Sequence, residues 1–330
     1  MTGALTWARL SFCQQRWELI LVVAGTAIVA GVMLWFSNQL SALIAANPAC
    51  LPTTDSGATP SCMAVVDTYY ETQGWASQLL AFSFAAPFGM GVLLGGPLVA
   101  REIDGGTAQL AWTLSPSRAW WLMRRIAFVA IVVGVLLGVL AVTSEILAAA
   151  LWPGSDLAHD FTYAGRRGWL IVARGMGALG IGLLVGALIG RVLPAILASA
   201  LVIGLAFVGL SLLHDRWLRA DAVIWDQATQ VLAPGYMHVD SGIQTPDGSI
   251  YTWSEANALG LDVSYGDEQG RMYASEADMI AGRPLGTPIA WVIPGSRYPE
   301  VTAREGAMAG AVGLGALGLS ALVVRRRRPV

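Results

Sequence analysis

The chain has 330 residues, of which 55% are hydrophobic and only 13% are charged, and its net charge is −2. Soluble globular proteins carry about 25% charged residues, so this composition excludes a soluble enzyme, and the apolar content excludes a disordered chain. The near-neutral charge argues against nucleic acid as the main partner. All 20 basic residues are Arg, so the chain has neither the Lys of a Walker A motif nor a Schiff-base nucleophile.

The chain begins with residues 1–18, in which apolar side chains recur at helical spacing. Leu5, Ala8 and Phe12 share one side of a helix, and Arg9 falls at another angle. This pattern predicts a short amphipathic helix that lies on the membrane surface. The alternative is a frayed tail.

Six apolar segments are each long enough to cross a bilayer, which takes about 20 helical residues. Pro87 and Pro97 are expected to kink the second segment. Gly182, Gly186 and Gly190 repeat every four residues along the fourth segment, a spacing typical of close helix packing. The six segments are residues 19–36, 75–100, 126–151, 169–189, 192–213 and 307–324.

Six spans put both termini on one side of the membrane, and the Arg distribution indicates that this side is the cytoplasm. The first outer loop, residues 37–74, contains no Arg. It does contain Cys50 and Cys62, which we expect to form a disulfide in an oxidising compartment, the alternative being two unpaired thiols. The cytoplasmic Arg residues are Arg9, Arg16, Arg101, Arg118, Arg124, Arg125, Arg191 and Arg325 to Arg328.

The loop between the second and third spans, residues 101–125, predicts two short helices that meet at a corner. Four residues step by 4, 3 and 4 and therefore share one helix face. Glu102 and Asp104 are expected in the first turn of that helix, where acidic side chains suit the helix dipole. Ser115-Pro116 breaks it and Ser117 can cap the next helix. An ordinary connecting loop is the alternative. The residues of the shared face are Ile103, Thr107, Leu110 and Leu114.

The run Glu102-x-x-x-Gly106-Thr107, followed by Leu114-Ser115-Pro116-x-Arg118, resembles the first cytoplasmic loop of ABC-2 type transporter permeases. Those loops often read E-x-x-x-G-T and then L-P-x-x-R. The resemblance implies six spans, a cytoplasmic N-terminal helix and a coupling helix that docks on a separate ATP-binding subunit. It also implies a complex of two permeases and two ATPases. The expected ATPase-coupling residues are Glu102, Gly106, Thr107, Leu110, Leu114, Pro116 and Arg118.

Two charged side chains lie within predicted spans. Glu145 is in the third span and Arg174 in the fourth, both towards the outer end. Because buried intramembrane charges usually pair or face water, we expect an ion pair between them. The alternative is that each side chain reaches the interface independently.

The loop between the fifth and sixth spans, residues 214–304, is longer than in many such permeases. It holds 12 acidic residues and six Arg, and its many aromatic residues favour a folded unit over a disordered linker. Thr245-Pro246-Asp247-Gly248 is a turn signal, a strand follows over 249–253, and a helix is expected over 275–280. These elements predict a small α+β cap outside the membrane.

The resulting fold is an all-α polytopic membrane protein with six transmembrane helices, an amphipathic N-terminal helix, a cytoplasmic coupling helix and an extracytoplasmic α+β cap. The cap separates the fifth span from the sixth. The expected divisions are the amphipathic helix over 1–18, spans one to five over 19–213, the cap over 214–304, and the sixth span with a basic tail over 305–330.

We expect no catalytic, cofactor-binding or metal-binding site, because the three histidines, His159, His214 and His238, all fall in predicted outer loops and the sequence has no HExxH, CxxC or GxSxG motif. The predicted function is the permease subunit of an exporter for hydrophobic or amphipathic cargo in a bacterial cytoplasmic membrane. ATP and Mg²⁺ are expected in the partner ATPase, and the other partners are a second permease chain and lipids, with no nucleic acid. The alternative is a membrane-anchored sensor or scaffold whose cap binds a ligand and whose loop docks a different partner.

Overall fold

The structure is a computed structural model that describes most of the chain as two compact units. Unit 1 comprises residues 1–154, 163–210 and 302–330, and unit 2 comprises residues 155–162 and 211–301. The described residues are 2–50, 62–107, 116–226, 235–259, 265–266, 271–274, 276–281 and 284–326. Side chains are described within these ranges except at residues 2–14, 119, 226, 265, 266, 276 and 277.

Six helical segments among the described residues are long and apolar enough to cross a membrane, which confirms the predicted spans and defines a multi-pass membrane protein. The fourth coincides with its predicted apolar run, and the other five extend beyond theirs. They are Gln15–Ala46, Met63–Asp104, Trp120–Leu151, Trp169–Ile189, Val192–Asp221 and Gly295–Arg326.

The first helix, α1, runs over Thr2–Ala46 and is interrupted at Gln15, whose φ of −118° and ψ of 19° are not helical. This interruption separates an N-terminal helix from the first span, close to the boundary expected after residue 18. The apolar side predicted for residues 1–18 falls mostly on side chains outside the described ones.

The second span is built from several consecutive pieces rather than one helix. Pro87 and Pro97 each stand in the first turn of a piece, where the missing N–H group is tolerated. Between these pieces the chain forms one π-helical turn, which is rare and widens the helix locally. The pieces are α2 (Met63–Ser83), α3 (Ala86–Met90), the π turn (Gly91–Gly95) and α4 (Gly96–Asp104).

The remaining spans are continuous helices with recognisable ends. Ser117 caps α5 as predicted, because its Oγ accepts a hydrogen bond from the Trp120 N–H at 3.1 Å. Gly190 ends α6 in the left-handed conformation, with a φ of 70°. The helices after α4 are α5 (Arg118–Leu151), α6 (Trp169–Ile189), α7 (Val192–Asp221), the short α8 (Trp253–Ala258) and α9 (Glu276–Ile280), and α10 (Tyr298–Arg326).

Helix α6 is the centre of unit 1. In the most apolar stretch of α6, 72% of the residues are buried inside the chain, whereas in that of α7 only 11% are buried. A methyl group at Gly186 of α6 would overlap the carbonyl oxygen of Gly96, and one at Gly182 would overlap the carbonyl oxygen of Gly91. The backbones of α6 and the second span therefore touch, as small residues permit.

The sixth span packs on α6 in the same way. A Cβ atom at Gly177 would lie 2.8 Å from the carbonyl oxygen of Ala309 in α10. One at Gly180 would overlap the backbone of Gly313. Glycines on α6 thus bring both the second and the sixth span into backbone contact with it.

Unit 2 contains a four-stranded antiparallel sheet, which confirms that folded structure with strands separates the fifth and sixth spans. The strand order is β1-β6-β2-β3, so the last strand in sequence pairs between the first two. The strands are β1 (Val223–Asp226), β2 (Met237–Gln244), β3 (Ile250–Thr252) and β6 (Thr287–Ile293), with β4 (Tyr265–Gly266) and β5 (Met272–Tyr273) forming a second small sheet.

The turn between β2 and β3 forms where the sequence predicts it. The Gly248 N–H donates to the Thr245 carbonyl oxygen at 2.9 Å, and Gly248 has a φ of 88°. The Asp247 carboxylate accepts hydrogen bonds from the Thr245 hydroxyl and the Ser249 N–H, which hold its pKa below the ordinary value. This contribution to turn stability is present above the ordinary carboxyl pKa and is lost as the pH falls through the lowered one.

We expect Gly186→Ala to destabilise the protein, because the added methyl group must push the second span away from α6. Overpacking of this kind costs about 1–3 kcal/mol. Gly138→Ala in α5 is the matched control, since nothing lies within 4 Å of a Cβ there, and Ala stabilises a helix by about 0.5–1 kcal/mol over Gly. Thermal unfolding in detergent measures both. A melting temperature for Gly186→Ala equal to that of the wild type would contradict this packing.

Candidate functional site

A buried ion pair joins the end of the second span to the beginning of the third. Glu102 in the last turn of α4 pairs with Arg125 in α5, and each side chain is only 6% exposed. Arg125 also donates to the Leu98 carbonyl oxygen at 3.3 Å. Two helices that lead into and out of the 105–117 loop are therefore fixed to one another where the loop begins.

The first helix joins the same cluster. Glu18 pairs with Arg101, the residue before Glu102. Gln15, at the interruption of α1, is 4% exposed, and its Oε1 atom has no hydrogen-bond partner among the described residues. Three helices thus meet around a small polar cavity. This cavity has a volume of about 230 Å³ and is lined by Gln15, Leu98, Arg101, Glu102, Gly105, Thr107 and Arg125.

The structure does not begin a helix at Glu102, where the sequence predicts one. Glu102 and Asp104 occupy the last turn of α4, not the first turn of the next helix, and this part of the prediction is wrong. The physical reason is the Gly105-Gly106 pair, since Gly106 takes a φ of 69° and ends α4 there. Thr107 is helical again, and its hydroxyl lies 3.4 Å from the Glu102 carbonyl oxygen.

Most of the predicted coupling helix lies outside the described residues. This applies to residues 108–115, and therefore to Leu110 and Leu114. Pro116, the first described residue after this segment, is exposed. Arg118 is the first residue of α5 and is half-buried. Exposed Gly106 and Thr107 on one side and Pro116 on the other thus flank the segment.

The predicted pair between Glu145 and Arg174 is replaced by two other pairs. Glu145 in α5 pairs with Arg167, whose NH1 nitrogen lies 2.9 Å from the Glu145 Oε2 atom. Arg174 in α6 pairs with Glu305 near the start of the sixth span. Arg174 also donates to the Gly165 carbonyl oxygen. Each charge is closer to a partner from the end of another span than to the other predicted member.

Sequence reasoning missed five residues of these two clusters. Each of them lies one to four residues before the start of a predicted apolar run, a position assigned to the interface rather than to a site. For four of them the usable signal was an acidic or basic residue directly before a predicted span, but nothing in the sequence states which span ends meet. The five are Gln15, Glu18, Arg125, Arg167 and Glu305.

The expected disulfide between Cys50 and Cys62 is present, with the two Cα atoms 5.5 Å apart. It joins Cys50, which lies shortly after the end of α1, to Cys62, the residue directly before α2. It thereby closes the segment 51–61, which lies outside the described residues.

The fold and these clusters define a polytopic helical membrane protein whose second and third spans are tied together at a short loop. The sequence profile of the ABC-2 membrane transporter related family matches residues 23–219, more than half of the chain. The chain belongs to this family, whose members in ABC-2 transporters are typically non-catalytic permeases. No curated protein and no solved structure matches the chain. The profile match ends before β1, so the sheet of unit 2 lies outside it.

We expect Glu102→Gln and Arg125→Gln each to destabilise the protein strongly. Removing one partner of a buried ion pair costs about 3–5 kcal/mol, because the other charge stays buried without compensation. The double variant should cost less than the sum of the two by about 1 kcal/mol or more. Unfolding in mixed detergent micelles measures the free energies.

Glu18→Gln is the matched control for this cycle. Its pair with Arg101 is more exposed, with side-chain exposures of 24% and 37%, so its loss should cost less than about 1 kcal/mol. Strictly additive effects of Glu102→Gln and Arg125→Gln would show that the two side chains do not interact.

Proposed function

We propose that this chain is the transmembrane permease subunit of an ATP-driven ABC-2 type exporter. The observation that carries the proposal is the family match over 23–219, which covers most of the first five spans and the whole loop between the second and third. In this proposal a separate ATP-binding subunit docks on residues 101–118 and holds ATP and Mg²⁺. This chain supplies the path and no chemistry.

The buried pair between Glu102 and Arg125 supports a route for force. Because the pair fixes α4 to α5 at the base of the loop, a push on the loop moves the second and third spans together. The pair between Glu18 and Arg101 extends this unit to α1. Apolar helix faces alone would let the helices slide, whereas a buried pair holds one register.

The same geometry divides the predicted coupling residues by role. Glu102 is buried and acts as a positioning residue, so it does not contact the ATPase directly. Gly106, Thr107 and Pro116 are exposed and stand at the two ends of the docking segment. Arg118 follows at the start of α5. Leu110 and Leu114 complete the proposed docking face.

We place both termini and the 101–118 loop in the cytoplasm, because that orientation puts 11 Arg on the inner side. The disulfide between Cys50 and Cys62 supports this orientation, since such bonds persist outside the cytoplasm. Unit 2 is then extracytoplasmic. The apolar spans favour hydrophobic or amphipathic cargo, and a second permease chain completes the transporter.

The direct test of the function is co-expression with the ABC ATPase encoded nearest to the gene. We expect the two chains to purify together in equal amounts with ATP hydrolysis. Arg118→Glu should weaken their association by about tenfold or more, because like charges facing each other across an interface cost several kcal/mol. Arg216→Glu near the end of α7 is the matched control and should change nothing. Purification of this chain alone would favour the sensor or scaffold alternative.

Orientation has its own test, with one cysteine added at a time to a Cys13→Ser background in which Cys50 and Cys62 remain paired. Asn257→Cys in α8 and Arg326→Cys at the end of α10 are both exposed positions. In intact cells a membrane-impermeant maleimide should label the first and not the second. In broken cells both should react. Labelling of Arg326→Cys in intact cells would reverse the proposed orientation.

A further inference from the structure

A short non-helical segment between α5 and α6, residues 163–168, has an unusual backbone. Tyr163, Gly165 and Gly168 have positive φ angles of 58°, 75° and 69°. A tyrosine rarely adopts that conformation. Gly165, Arg167 and Gly168 are nevertheless buried. The segment is therefore held by its surroundings and not by the preference of its own backbone.

The second and fourth spans hold this segment through one hydroxyl and one guanidinium, and the sixth span pairs with that guanidinium. The Ser83 hydroxyl, at the end of α2, donates to the Arg166 carbonyl oxygen at 2.6 Å. Arg174 of α6 donates to the Gly165 carbonyl oxygen and pairs with Glu305 of α10. Backbone carbonyl groups of the segment are thus anchored by side chains of two other helices.

The third span holds the other end of the segment. Arg167 is 1% exposed and pairs with Glu145 of α5 through both carboxylate oxygens, at 3.1 and 2.9 Å. The Gly168 N–H donates to the Ser144 hydroxyl at 3.3 Å. Ser144 is fully buried beneath the segment.

Arg174 links the segment to the sixth span, because it contacts both the Gly165 carbonyl oxygen and Glu305. Its side chain is 12% exposed, and its guanidinium carbon lies 4.8 Å from the centre of the Phe84 ring. Glu305 is the carboxylate that balances its charge. Without Glu305 the contacts of the buried cation among the described residues are a carbonyl oxygen and a ring face, which do not compensate a full charge. Lifting the segment would let water reach the guanidinium.

We propose that residues 163–168 form a latch that closes this end of the helix bundle of unit 1. The pair between Arg174 and Glu305 holds the latch shut. Opening it exposes the hydroxyls of Ser83 and Ser144, which are both fully buried in the closed arrangement. Hydroxyl groups of this kind are costly on a surface that faces lipid, because lipid offers them no hydrogen-bond partner. The proposal rests on this geometry alone and does not require the exporter function.

The test measures access beneath the latch in the purified full-length chain, without any partner. In a Cys13→Ser background, Ser144→Cys reports on a fully buried position that contacts the latch, and Ser320→Cys reports on a fully buried position in α10. The probe is a hydrophilic maleimide. When opening is faster than labelling, the labelling rate follows the open population. Glu305→Gln should raise the rate at Ser144→Cys by about tenfold or more and leave Ser320→Cys protected.

Glu300→Gln is the matched control, because Glu300 lies on the same helix but is exposed and pairs with Arg297. It should leave both reporters at their original rates. Two results would overturn the latch: no rise at Ser144→Cys, or an equal rise at both reporters, which indicates general loosening. If Glu305→Gln fails to fold, Glu305→Asp and Ser83→Ala replace it, and a smaller rise confined to Ser144→Cys is then required.

Discussion

The close approach of α6 to its neighbours is the constraint on which the rest of unit 1 depends. Gly182 and Gly186 bring the backbone of α6 against the π turn and α4, and Gly177 and Gly180 bring it against α10. In a bilayer no hydrophobic force distinguishes a neighbouring helix from lipid, so contact has to come from close packing. Because α4 is seated on α6 by this contact, the orientation of its last turn is fixed, and Glu102 is aimed at Arg125.

Ion pairs at the two ends of unit 1 fix the register of the helices, which glycine packing alone does not fix. Smooth helix faces made of small residues fit at several registers, whereas a buried charge finds its partner at only one. The pair between Glu102 and Arg125 fixes the spans that enclose the proposed docking loop. Arg174 and Glu305 do the same for α6 and α10. In both places, removing one partner costs more than the pair contributes, because the other charge stays buried without compensation.

Unit 2 depends on strand pairing, whereas the bundle of unit 1 depends on close helix packing. Its sheet depends on β6, which comes last in sequence and pairs with both β1 and β2. The fold of this unit therefore needs residues from both ends of the long connection between α7 and α10. Since the family match ends before β1, the spans and loop that support the proposed transport function do not include this sheet.

The sequence by itself determined the features that depend on neighbouring residues. The six apolar runs, the Ser117 cap, the disulfide between Cys50 and Cys62 and the turn at Thr245–Gly248 all follow from local composition or short spacing. Only the tertiary structure decided which charges meet. Glu305 lies 131 residues from Arg174, and the burial of Glu102 depends on where α5 passes. An apolar run predicts that a segment enters the membrane. It does not predict which face of which helix that segment contacts. That choice is made by backbone contacts at a few glycines.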